Sequence, residues 1–305
     1  MTVCVATISR AIIKGNAVGF IVTGASDRML TSGNIQFQPQ RTKVEQLGKS
    51  IVLMIAGDIA TQAELYHGLR IDVQERLRSD PNRALEVEYV ARRYVARYEE
   101  AKRRRAEHAI LAPLGLTIDS FLDRQRSMDS AMVASLVKEL RGFDDLDVQA
   151  MVVGLDSTGP HIYLVDCDGS LSCEDAVGFA AIGFGQGHAR SHLIITGHTR
   201  SKPFPEAIFQ TFSAKKRAEI APGVGEVTDM FVIGPALDHV TPVEQSALDG
   251  LNSMYSAAEQ AIQQAMLTVM QKFNTQVMEG IEKGVEEALK ARRPEDEAEQ
   301  PESPP

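Results

Sequence analysis

The stretch Ser50 to Ala56, Ser-Ile-Val-Leu-Met-Ile-Ala, has no polar residue after its serine and stops at Gly57. A short, continuously apolar run of this kind reads as a core strand buried on both faces. Two earlier stretches, Thr2 to Ile8 and Val18 to Thr23, are small, apolar and β-branched. The polar stretch between them contains Gly15 and Asn16, so the pair reads as a β-hairpin. A second hairpin is predicted from Gln149–Gly154 and His161–Asp166, which Asp156, Ser157, Gly159 and Pro160 separate. Strand character returns at Asp229–Ile233.

Between these runs the period changes. Ala63, Leu65, Leu69, Val73 and Leu77 recur at helical spacing until Ser79-Asp80-Pro81. A second helix is predicted after Asp80 with Pro81 at its first position, carrying Leu85, Val87, Val90, Tyr94 and Tyr98. Its basic cluster Lys102 to Arg105 is flanked by Glu99, Glu100 and Glu107, so it reads as a solvated face. Further helices are expected over 129–140, after the alternating glycines Gly183, Gly185 and Gly187, and over 206–218. Blocks of strands and helices in this order describe an α+β chain. From Pro242 to about Arg292 one long helix or two is expected, with an apolar stripe. Residues 294–305 hold four prolines and five acidic residues and cannot build a core. The expected organisation is a domain over 2–236, a helical extension over 237–293 and a disordered tail over 294–305.

Acidic residues outnumber basic ones 41 to 32, a formal charge of -9 that opposes binding to nucleic acid. Three cysteines are too few for a disulfide framework and suit a reducing, cytoplasmic compartment. No run is long and apolar enough to span a membrane, and the first residues lack a signal-peptide pattern. Thr23-Gly24-Ala25-Ser26, with Tyr98 and Lys102 four apart, looks like a short-chain dehydrogenase signature but lacks the glycines a pyrophosphate needs. Gly183 and Gly185 fail the dinucleotide test too, because His188 stands where a third glycine is required. His188 and His192 lie four apart without a third metal ligand, and no serine nucleophile elbow occurs.

The remaining chemistry lies at the start. Residue 2 is threonine, small enough that removal of Met1 is expected. Removal would place a hydroxyl and an α-amine, of ordinary pKa about 7.7 to 8.0, on one residue, so that the nucleophile carries its own base. A nearby cation would disfavour protonation of that amine, a carboxylate would anchor the cation, and a backbone N–H would bind the oxyanion. Asp27, Lys43 and Gly57 are the candidates, with Lys49 as a rival cation that reads better as a strand-edge charge.

The chain resembles the β-type proteasome subunits and their bacterial relative HslV, which are N-terminal nucleophile hydrolases. Six stretches over roughly Thr2 to Ile233 carry this resemblance: MTVCVA; GASDRMLTSG; RTKVEQL; IVLMIAG; VVGLDSTGPHIYLVDCDG with AAIGFGQGHA; and AKKRAEIAPGVGEVTDMFVI. The spacing fits the family, with Lys43 following Asp27 by 16 residues and Gly57 following Lys43 by 14. The resemblance implies an α+β, four-layer αββα sandwich with a C-terminal helical extension. It also implies that Thr2 is the nucleophile, Asp27 the acidic residue, Lys43 the catalytic lysine and Gly57 the oxyanion amide. By the same resemblance, Thr31 pairs with an extended substrate through its backbone. Ile55 and Ile59 would line a pocket for apolar side chains. No cofactor or metal is implied. The implied substrate is a peptide or unfolded protein, and the implied partners are further copies in a homo-oligomeric ring and an ATPase or activator.

The departures are specific. Phe184 stands where the family has a serine between glycines, and Pro222-Gly223 replaces a Ser-Gly; Glu219 aligns only loosely with a family aspartate. The first hairpin is about nine residues longer than in the family, and 107–142 and everything after 240 are additions. No extra helix precedes Thr2, which matches the catalytic β type. A non-catalytic scaffold of the same fold is the competing reading, motivated by Phe184 and Pro222, and a small-amide hydrolase is a third. Intact-mass measurement of the purified chain is expected to show loss of Met1; retained Met1 would leave the Thr2 nitrogen an amide and favour the scaffold.

Overall fold

The computed structural model describes residues 2–32, 35–37, 43–80, 84–144, 146–235 and 239–291. In chain order the elements begin with β1 (Cys4–Ile13), β2 (Asn16–Asp27), β3 (Leu30–Ser32), β4 (Ile35–Phe37), β5 (Val44–Gln46) and β6 (Ile51–Gly57). Then come α1 (Ile59–Ser79), α2 (Val87–Ala106), α3 (Ile118–Arg124), α4 (Ser130–Gly142), β7 (Val148–Asp156), β8 (Gly159–Val165), β9 (Leu171–Cys173) and β10 (Phe179–Ile182). The last are α5 (Gln186–Ile195), α6 (Phe204–Ala218), β11 (Thr228–Ile233), β12 (Val240–Pro242) and α7 (Gln245–Ala291). The fold is α+β, with two five-stranded antiparallel sheets of order β10-β1-β2-β11-β12 and β5-β6-β7-β8-β9.

The apolar run of β6 follows from what covers its two faces. Val52, Met54 and Ala56 join one cluster with Cys4, Ala6, Ile8 and Val22 of the other sheet. Ile51, Leu53 and Ile55 join a second cluster with Leu65 and Leu69 of α1 and Val90, Tyr94 and Tyr98 of α2. Antiparallel strands normally alternate apolar with polar, but a strand covered on both sides has no solvated face to make polar. Alternation along β1 places Val5, with Val3 just before the strand, in a third cluster with Ala189 and Leu193 of α5 and Ala214 and Ala218 of α6. Burying each large side chain contributes about 1.5–3 kcal/mol.

The first hairpin is longer than the sequence runs indicate. It closes at Lys14-Gly15, both with positive φ (50° and 83°), which is the geometry of a two-residue turn matched to strand twist. The additional residues extend β1 and β2 as far as Ile13 and Asn16. The second helix also differs from expectation. Pro81 lies outside the described residues, Leu85 precedes the helix, and α2 starts at Val87. Its starting N–H is taken by Asp156 Oδ2 at 2.9 Å, so a carboxylate from the distant β7–β8 turn fixes the helix start. The inserted segment after α2 holds α3 and α4 around a small cluster of Leu111, Leu116, Phe121 and Leu136.

The chain divides into Met1–Leu248 and Asp249–Pro305. The boundary falls later than 236 because β12 pairs with β11 at the sheet edge and Leu248 is buried. In the second unit α7 exposes Ile262, Met266, Val269 and Phe273, and the expected tail lies outside the described residues. Among the described residues no helix is long and apolar enough to cross a membrane.

At the β7–β8 turn, His161 faces Asp175 through Nδ1 at 2.6 Å and Thr158 Oγ1 through Nε2 at 2.7 Å. The hydrogen bond to Asp175 raises His161 above its ordinary 6.5. Burial works to raise Asp156 and Asp175, but hydrogen bonds from Thr158 to the one and His161 to the other outweigh it and hold both below 3.8. A raised histidine stabilises fully below about 6.5 and loses that contribution as pH rises through its folded value; the lowered carboxylates stabilise above about 3.9 and lose it as pH falls through theirs. The pairing of His161 with Asp175, with Asp156 beside it, therefore contributes in full between these limits. NMR titration is expected to place His161 above 6.5, with Asp175→Asn returning it toward that value; an unchanged titration in the variant would contradict the pairing.

Candidate active site

Cys4 pairs with Ser26 across β1 and β2, so the residues just before β1 lie beside the end of β2. The Asp27 N–H donates to the Val3 carbonyl at 3.2 Å, which brings Thr2 alongside the Asp27 carboxylate. Thr2 is 3% exposed and Asp27 0%. A carboxylate without solvent must have donors on its lone pairs. Asp27 Oδ1 accepts from the Thr2 hydroxyl, from the Val3 N–H at 3.0 Å and from Lys43 Nζ at 2.9 Å. Its Oδ2 accepts from the N–H groups of Met29 and Gly225, each at 3.0 Å.

Lys43, just ahead of β5, is buried with them. Its three ammonium donors go to Asp27 Oδ1, Thr2 Oγ1 and the Met29 carbonyl. The threonine hydroxyl thus accepts from an ammonium while donating to a carboxylate. Both charges are buried, opposite in sign and fully hydrogen-bonded, the condition under which an interior ion pair is tolerated.

A cavity of about 440 Å³ opens beside this cluster, bordered by Thr2, Gly57, Asp58, Asp147, Gln149 and Phe184 among others. Two glycines shape it. Gly57 has φ 120°, and a Cβ there would collide with the Asp147 carbonyl. Gly183 has φ 87°, and a Cβ there would run into the Thr2 carbonyl and lie 2.9 Å from Thr2 Cγ2. The Gly183 N–H donates to Gln149 Oε1 at 2.8 Å, and the Gly185 N–H to the Thr2 carbonyl at 3.2 Å. These glycines, which fail as a dinucleotide motif, let the chain close over Thr2.

Of the expected site residues, Thr2, Asp27 and Lys43 come together in direct contact, and Gly57 borders the same cavity as Thr2. Thr31 lies in β3, paired with Gln36 of β4. Ile55 and Ile59 are not brought to this cavity: strand parity turns Ile55 toward the helices with Ile51 and Leu53, and Ile59 opens α1 half-buried. The cavity's charged border is instead Asp58 and Asp147. Phe184, at 60% exposure, offers it an aromatic ring.

Cys4 is the nearest rival nucleophile in sequence, but burial pushes its thiol up to about 12, so it stays protonated. Lys215 is a further buried charge that no sequence motif marks. This lysine on α6 has no exposed surface, and burial pushes its ammonium below the usual range while Glu219 opposes that shift. Its signal was position, since it falls among the buried Thr211, Ala214 and Ala218. No protein-family model and no curated protein matches this sequence.

Lys43→Ala would leave Asp27 buried without its cation, a loss of about 3 kcal/mol of folding stability. Lys43→Met combined with Asp27→Asn is expected to cost less than the sum of the two single changes, as chemical denaturation would measure. Strict additivity would contradict the coupling.

Proposed function

We propose that this chain is a threonine peptidase of the proteasome β-subunit and HslV type, acting through Thr2 after Met1 is removed. The observation that carries the proposal is the contact of the Lys43 ammonium with both the Thr2 hydroxyl and Asp27. The three apolar clusters, one between the sheets and one outside each, support an αββα sandwich as the underlying fold.

In this mechanism the freed α-amine of Thr2 accepts the Oγ proton as Oγ attacks the substrate carbonyl. The tetrahedral oxyanion is held by the Gly57 N–H. The amine then returns the proton to the departing amine of the peptide, leaving an ester on Thr2 that water hydrolyses by the reverse sequence. Lys43 disfavours protonation of the α-amine, and Asp27 keeps Lys43 in place. Peptides or unfolded proteins are the substrates. The chain works as a homo-oligomeric ring in the cytoplasm, with an ATPase or activator as partner.

The exposed Phe184 at the cavity favours a second reading, in which the same fold persists as a scaffold without turnover. A peptide epoxyketone separates the two. In protein shown to lack Met1, the adduct is expected on Thr2, and Thr2→Ala should lower peptide hydrolysis by about a thousandfold or more. An unmodified Thr2 in the processed chain would favour the scaffold.

A further inference from the structure

Lys215 sits on the buried side of α6 with Ala207, Thr211, Ala214 and Ala218. An ammonium without solvent is tolerated only when its donors are all taken. Here they are: Nζ donates to Glu219 Oε1 at 2.6 Å, to the Gly225 carbonyl at 2.8 Å and to the Glu226 carbonyl at 2.9 Å. Glu219 is held from its other oxygen by Lys216 at 2.7 Å.

Gly225 joins this group to the candidate active site, because its carbonyl accepts from Lys215 and its N–H donates to Asp27 Oδ2. The segment 221–227 belongs to no helix or strand, so no ladder of backbone hydrogen bonds fixes it. Its N-terminal part is held by backbone hydrogen bonds from Ala221 N–H to the Ala218 carbonyl at 3.0 Å and from Val224 N–H to the Ala221 carbonyl at 3.2 Å, and by the packing of Ala221 and Val224 with Val3 and Ala218. Beyond Val224 the ammonium beneath Gly225 and Glu226 holds both carbonyls, with the Thr228 hydroxyl a longer second donor to Glu226 at 3.4 Å.

We propose that Lys215 is a positioning residue for the Thr2 site. Its ammonium fixes the Gly225 and Glu226 carbonyls, which holds the Gly225 N–H on Asp27 Oδ2 and leaves Oδ1 directed at Thr2 and Lys43. Its effect on rate rests on the peptidase reading above; its effect on Gly225 rests on the geometry alone. Lys215 does not border the cavity beside Thr2, so its loss acts on the chemical step and not on substrate affinity.

The test uses the full chain, with loss of Met1 confirmed by mass, as wild type, Lys215→Met, Lys215→Arg and Glu219→Gln. Two quantities are read: hydrogen exchange of the Gly225 amide by NMR, and kcat and KM on a fluorogenic peptide. Lys215→Met is expected to speed exchange at Gly225 and to lower kcat, each by about tenfold or more, with KM within about twofold. Lys215→Arg keeps the charge and donors and is expected to recover much of both. Glu219→Gln weakens the anchor and is expected to show the same signature at smaller size; it decides the matter where Lys215→Met does not fold. Unchanged Gly225 exchange in the deciding variant, or a loss of kcat/KM through KM alone, overturns the proposal. Should processed wild type hydrolyse no peptide, the peptidase reading fails while exchange at Gly225 still decides the role of Lys215.

Discussion

A carboxylate and an ammonium withdrawn together from water impose the strictest condition in this molecule. Desolvating each costs several kcal/mol, recovered only if every lone pair and proton finds a partner. Asp27 and Lys43 meet that condition with groups from separate parts of the chain. The β1–β2 pairing supplies Val3 and Thr2, the bend after β2 supplies the Met29 N–H and carbonyl, and the segment before β11 supplies the Gly225 N–H. Displacing any one of these leaves a buried charge short of a partner, so the arrangement is cooperative.

The layers supply the rigidity that this demands. Successive residues of β1 face the other sheet and the α5–α6 side in turn, so Thr2 is anchored by a strand gripped from both faces. The close approach of backbone segments around Thr2 depends on what is missing at Gly57 and Gly183. At each, a Cβ would strike backbone, of Asp147 in one case and of Thr2 in the other. The same closeness accounts for glycine at 183 and 185, just before α5.

What was legible in the sequence was periodicity. The β6 run, both hairpins and the helical spacing of α1 follow from solvent contact on each face, which neighbours in sequence report directly. The start of α2 was hidden because Asp156, 69 residues away, captures the Val87 N–H. Lys215 was hidden for a related reason: two of its partners are backbone carbonyls, which leave no trace in residue identity. Ile55 shares the parity of Ile51 and Leu53, and that parity turns it toward the helices. The needs of an N-terminal nucleophile single out Thr2, Asp27 and Lys43, the family resemblance gives them roles, and the structure brings those three side chains into contact.

Peptidase chemistry at Thr2 requires that Lys43 make the amino group of the processed residue available as a base. Titrating that amine by NMR in chain labelled with ¹⁵N-threonine addresses it most directly. The amine is expected to titrate below the ordinary value of about 7.7–8.0, and its pKa to rise when Lys43 is replaced by methionine. An amine that titrates at or above the ordinary value, and does not respond to that replacement, would contradict it.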